Sequence, residues 1–151
     1  MRLATIHYLT VQDLLWINQE LCNRQCEFKF AQLEEAAGYQ YGYGQSKDVL
    51  NQAGVFLQGF LKMRPFEEGN RKTAFVSALT FLSINGFEIS LDPMAAKEWV
   101  MSVATKQKSG VEAIGDAASE SDVPPELNPA MRTHVRNIIA TYRSAIAELA
   151  D

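Results

Sequence analysis

Apolar side chains recur at helical spacing through most of the chain, and the character of the pattern changes at one break. Leu50, Ala53, Leu57, Phe60 and Leu61 line a single face, which predicts an amphipathic helix ending near Met63. Beyond the break, from about Asn70 to Asn85, the residues Ala74, Phe75, Val76, Ala78, Leu79, Phe81 and Leu82 are apolar nearly all round. A helix of that kind belongs at the centre of a domain, and Asn85-Gly86 is its stop signal. Upstream, Thr10 reads as an N-cap with Asp13 three residues on. A helix then follows from Val11 to about Asn23, with Leu14, Leu15, Ile17 and Leu21 at helical spacing. A shorter helix is predicted over Phe28 to Ala37. The run Gly38 to Gly44, with its alternating tyrosines, reads as a mobile loop or small hairpin, and Ser46 reads as the cap of the helix after it. Downstream, Phe87 to Leu91 reads as a short extended piece. Asp92-Pro93 opens a helix to about Thr105, and Val111 to Ala118 forms another. Asn128-Pro129 opens the last, with Val135, Ile138, Ile139, Tyr142 and Ile146 on its apolar face. The expected class is all-α, a helical bundle around a buried central helix with a small flap or loop near 38–45.

Composition narrows the setting. At 151 residues, with 47% hydrophobic and 21% charged positions, the chain has the make-up of a soluble domain with a real core. A net charge of −4 is the wrong sign for a domain that grips nucleic acid. No 18-residue apolar stretch suggests a membrane span, and the opening residues do not read as a signal peptide. Cys22 and Cys26 lie four apart with no accompanying Cys/His set, so they read as reduced, partly buried thiols of a cytoplasmic protein.

The candidate chemistry lies in the break itself, Arg64-Pro65-Phe66-Glu67-Glu68-Gly69-Asn70-Arg71-Lys72. A proline turns the chain out of one helix, and a glycine leads into the next. Unpaired N–H groups at a helix start, with the helix dipole behind them, make an anion site. Gly69 and Asn70 would border it, and Arg71 and Lys72 would neutralise phosphate charge. Glu68 would suit a Mg²⁺ that bridges phosphates. Phe66 would point inward and anchor the loop. The same residues also compose an ordinary charged helix start, with a buried Phe and a solvated Glu/Arg/Lys face.

This stretch resembles the signature of the Fic/Doc (death-on-curing) family, His-X-Phe-X-(Asp/Glu)-(Gly/Ala)-Asn-(Gly/Lys)-Arg, often followed by Thr-Ala. Pro65-Phe66, Glu68-Gly69-Asn70 and Thr73-Ala74 match it. Tyr8 to Leu14 is similar to the family's opening helix, and Ala78 to Gly86 to the end of its central helix. Met101 to Ala104 with Lys108-Ser109 resembles the tail of the Doc branch. The likeness covers roughly residues 4 to 118. It implies a helical domain over 1–118; beyond it, the polar, proline-bearing stretch reads as a flexible linker over 119–127, and 128–151 as a C-terminal helix packing on the same domain. Family members bind a nucleotide triphosphate with Mg²⁺ and transfer AMP, or in Doc toxins a phosphate, to a protein hydroxyl. The resemblance therefore implies ATP or another nucleotide and Mg as cofactors, with Glu68 on the metal and Gly69, Asn70, Arg71 and Lys72 on phosphate. It also implies an antitoxin peptide or a protein target as partner, with a homo-oligomer as a further option. A flap before the central helices clamps the target by strand pairing in the family, and the Gly/Tyr run takes that place here. Ser144 and Glu148 have the spacing of the inhibitory Ser-X-X-X-Glu motif of self-inhibited members.

Two positions depart from the signature. Arg64 stands where the family has its histidine base, and a guanidinium has no lone pair with which to take a proton. Lys72 stands where the family ends in arginine, keeping the charge and losing the bidentate fork. The resulting expectation is a degenerate, toxin-like Fic/Doc protein that holds a nucleotide phosphate and is impaired in transfer. Two alternatives stay open: an active transferase with a substitute base, and a non-enzymatic interaction protein of the toxin–antitoxin type.

Overall fold

The computed structural model describes residues 5–44 and 48–151. Among them are eight α-helices and one two-stranded sheet. The all-round apolar segment is α4 (Asn70–Ile84), in which Thr73 to Leu82 are all buried. Around it pack α1 (Val11–Cys22), α3 (Val49–Met63) and α7 (Met131–Thr141), and α2 (Phe30–Gly38) lies against α3. The core is rich in interlocked aromatics, with the Phe56 ring edge-on to Phe60 at 6.0 Å and to Phe81 at 6.2 Å. None of the described helices is long and apolar enough to cross a membrane.

The start of α1 follows from its sequence. Asp13 N–H donates to Thr10 Oγ1 at 3.1 Å, and Thr10 N–H donates back to Asp13 Oδ2 at 2.8 Å, the two halves of a capping box. The helix ends at Asn23 in the left-handed conformation (φ 58°), which turns the chain towards Arg24 and the loop of interest.

Several elements differ from expectation. Tyr39–Gly44 is neither a hairpin nor a strand-pairing flap but a 3-10 turn continuing from α2. Gln40 fixes it: its buried amide accepts from Leu9 N–H (2.7 Å) and donates to the carbonyls of Leu9 and Ala37 (both 2.9 Å). Residue 45 and the expected cap Ser46 lie outside the described residues. Asp48 caps α3 instead, its Oδ1 accepting from Leu50 N–H at 3.1 Å.

Phe87–Ile89 (β1) pairs antiparallel with Ala118–Glu120 (β2), so Ser119 and Glu120, read as the start of a flexible linker, are strand. Between the strands lie α5 (Ala96–Ala104) and α6 (Gly110–Ala117), joined where Trp99 Nε1 donates to Ala113 O at 2.9 Å.

The last apolar pattern forms two helices rather than one, α7 and α8 (Arg143–Glu148), and it starts at Met131 rather than Asn128. Tyr142 makes the break. Its ring meets Phe75 edge-on at 5.3 Å and its hydroxyl donates to Leu91 O at 2.7 Å. Burial raises its pKa. Holding that side chain redirects α8 and leads residues 149–151 to the start of α4.

Candidate functional site

The loop between α3 and α4 is closed by its own residues. Arg64 ends α3 with φ 46°, turned out of the right-handed helix before Pro65. Pro65 O accepts from Lys29 N–H at 2.9 Å, and Glu67 N–H donates to Glu27 O at 3.0 Å, so residues 27–29 run beside the loop. Phe66 is buried between Phe28 (6.2 Å) and Phe60 (6.5 Å). Asn70, also buried, spans the turn: its Oδ1 accepts from Phe66 N–H at 2.9 Å and its Nδ2 donates to Phe66 O at 2.8 Å. Both ends of that side-chain amide are thus engaged within the loop. Gly69, with φ 78°, precedes α4 where only glycine fits. A Cβ there would lie 2.5 Å from Cys22 Sγ and 3.1 Å from Asn18 Nδ2. Asn18 supports the turn from α1, donating to Glu68 O and to Thr73 Oγ1, both at 3.1 Å.

The cationic half of the loop converges on one carboxylate. Arg71 N–H, in the first turn of α4, donates to Asp151 Oδ1 at 2.8 Å, and the Arg64 guanidinium pairs with Asp151 Oδ2. Gly69 N–H donates to the main-chain oxygen of Asp151, and the Arg71 guanidinium to Ala150 O at 3.3 Å. The Asp151 side chain is 8% exposed and that of Arg64 52% exposed, so the acid is inside the loop mouth and the base reaches over it from the rim. A helix N-terminus and an arginine around a buried carboxylate form an anion site with an anion in it.

The anionic half is closed by a residue that its spacing did not reveal. Arg24, just past α1, donates through Nη1 to Glu67 Oε1 (2.8 Å). Through Nε (2.8 Å) and Nη2 (2.7 Å) it reaches Glu68 Oε1. The backbone N–H of Glu27, followed by Arg24, holds the Glu67 carboxyl below the usual range, and the two glutamates raise the Arg24 pKa further. A lowered carboxylate pKa contributes stability above the ordinary carboxylate range and loses it as pH falls through the folded value. The melting-point difference between wild type and Glu67→Gln is therefore expected to shrink as pH falls from the ordinary carboxylate range, about 4.3, and to vanish only below the lowered folded value, as followed by melts from neutral to acid pH.

Glu68 does not stand in magnesium's surroundings. Mg²⁺ takes hard oxygens in an octahedron. Glu68 Oε1 instead faces the Arg24 guanidinium, with Cys26 Sγ 3.9 Å away. Cys22 Sγ lies 3.9 Å from Glu68 O. Burial, Cys26 and Glu68 push the Cys22 thiol up to about 11, and Lys72 opposes the shift. Lys72 thus acts towards Cys22, whereas Arg71 lies at the loop mouth.

The two histidines are engaged elsewhere. His134 Nδ1 is 2.7 Å from Ser83 Oγ, thirteen residues along α4 from Asn70 and so about 20 Å away. Its Nε2 is 2.9 Å from Glu126 Oε1, and His7 Nε2 is 3.0 Å from Glu126 O. Glu148 lies 3.8 Å from Lys97, so the Ser144/Glu148 spacing does not deliver a carboxylate to the loop; Asp151 does.

Residues 8–82, just under half of the chain, match the model of the Fic/DOC family. The match supports Fic/Doc membership. It spans α1 to α4, and hence the loop with both of its helices, and the mostly helical architecture is consistent with an all-α Fic/Doc fold. No curated protein matches the chain. Arg24 and Asp151, which pair with the charged residues of the loop, carry no signal in the spacing of the motif. Arg24 lies just past the end of α1, about forty residues before the motif, and Asp151 lies outside the matched region.

Proposed function

We propose that this Fic/Doc-type loop binds the phosphate groups of a nucleotide on a protein impaired in group transfer. The observation that supports this reading is the Asp151 carboxylate seated at the start of α4. Two backbone N–H groups and Arg64 meet residue 151 where a phosphate oxygen would lie. The loop thus already holds an anion of the chain's own making. The reading stops at phosphate, because Glu68 is flanked by two thiols rather than by the further oxygens magnesium takes.

Transfer needs a base at the α3 end of the loop, and the residue there is Arg64, protonated at any ordinary pH and paired with Asp151. Loss of a positioned base lowers a rate by about 10²–10⁴-fold. Wild-type protein incubated with labelled ATP and lysate is expected to give no labelled protein above background, and Arg64→His to give labelled bands. Strong labelling by wild type would favour the active-transferase alternative. Binding itself is tested by calorimetry with ATP, ADP and inorganic phosphate on wild-type protein. Weak saturable heat is expected, and none at millimolar ligand, for wild type and for a variant lacking the Asp151 carboxylate, would overturn the reading.

A further inference from the structure

We propose that Cys22, Cys26 and Glu68 form a site for a thiophilic divalent cation of the zinc class, with the fourth position open to water. The donor atoms of the three residues already lie within 4.8 Å of one another. Cys26 Sγ is 3.9 Å from Glu68 Oε1. Around a tetrahedral ion with Zn–S near 2.3 Å and Zn–O near 2.0 Å, neighbouring donors stand about 3.5–3.8 Å apart. Reaching those distances takes a contraction of at most about 1.3 Å, well within the reach of side-chain rotation.

The fold brings the three together from separate segments. Cys22 ends α1, and Asn23 in its left-handed conformation (φ 58°) reverses the chain. Cys26 thus returns beside Cys22. Glu68 comes from the loop ahead of α4, and Gly69 keeps a Cβ from intruding on Cys22 Sγ.

Binding would displace the thiol protons, and the ion's own charge would offset the pocket's bias towards the neutral Cys22 thiol. Two thiolates and a carboxylate carry three negative charges against two on the ion, and Arg24 at 2.7 Å from Glu68 Oε1 balances the remaining one. Ligating carboxylates are commonly held by such an outer partner. Asn18 holds the Glu68 main chain from the other side, donating to its carbonyl at 3.1 Å. Cys26 also borders a cavity of about 430 Å³ shared with Trp16, Phe28 and Phe66, which gives the fourth position access to solvent. Sulfur selects zinc-class ions over magnesium. The site asks nothing of the phosphate-binding half of the loop, so the two readings stand or fall separately.

The test uses the full chain, reduced and with both thiols verified free by titration, with Co²⁺ as a spectroscopic probe and Zn²⁺ as competitor. One Co²⁺ per chain is expected, with a sulfur-to-cobalt charge-transfer band and tetrahedral d–d intensity, both erased by Zn²⁺. Cys22→Ser and Cys26→Ser should each remove the band. Glu68→Gln should weaken Co²⁺ binding by at least about tenfold. The melting temperature of wild type should rise with Zn²⁺, and that of the serine variants should not. No charge-transfer band with both thiols free overturns the proposal, as does a band that survives Cys22→Ser.

Discussion

Asp151→Ala is expected to tighten binding of inorganic phosphate or ATP at the loop by about 10- to 100-fold. A ligand competes with the Asp151 side chain for the Arg71 N–H and the Arg64 guanidinium, whereas the main-chain oxygen on Gly69 N–H stays in the variant. A hydrogen bond to a charged group contributes roughly 1.5–3 kcal/mol net. The Arg64 pair must be discounted because that side chain is 52% exposed and screened by solvent. A net closing energy of about 1.4–2.7 kcal/mol remains, and each ~1.4 kcal/mol lowers the apparent affinity tenfold while the plug is seated. Asp151→Asn should fall between wild type and alanine, because the amide still accepts from Arg71 N–H without the charge. Calorimetric titration of the three proteins at one salt concentration measures the series. Equal affinities across it would mean that Asp151 does not compete for the site.

A large loss of stability is expected for Gly54→Ala. A Cβ at Gly54 would stand 2.5 Å from Val111 N and 2.8 Å from Gly110 C, where the backbones of α3 and α6 cross in contact. The obstacle is main chain on a helix that Ser109 caps at Glu112 N–H (3.1 Å) and Gln58 holds at Gly110 N–H (2.8 Å), so α6 cannot retreat without breaking those bonds. Overpacking of a rigid contact costs about 1–3 kcal/mol and occasionally more. For a chain of this size ~3 kcal/mol is a fall of roughly 6–12 °C in melting temperature. Thermal denaturation followed by circular dichroism checks it. Gly115→Ala is the control, because a Cβ there meets nothing within 4 Å and the helix gains a better former.

What could be read from the sequence follows the range of the forces involved. The helix over 70–84, the α1 capping box and the inward Phe66 rest on local periodicity and on side chain-to-backbone bonds three residues long, and local sequence shows these directly. The 3-10 turn at Tyr39 was hidden because Gln40 bonds to Leu9, thirty-one residues away. The break at Tyr142 was hidden because it depends on Phe75 and Leu91. At the site, the glycine and the surrounding cations were legible, and their partners were not. Glu68 looked like a metal ligand for oxygen-loving ions until Arg24 and two thiols were placed beside it. Arg64 looked like the mere loss of a base. In three dimensions it closes over an acid eighty-seven residues downstream.

The central claim is that the start of α4 is a phosphate cradle occupied by the chain's own carboxylate. Amide NMR spectra of wild type and Asp151→Ala, titrated with inorganic phosphate, test it most directly. The account predicts saturable shifts of the Gly69 and Arg71 amide resonances in Asp151→Ala, and the same shifts at about 10- to 100-fold higher phosphate in wild type. Amides of Gly69 and Arg71 that stay unmoved in both proteins at millimolar phosphate would contradict it.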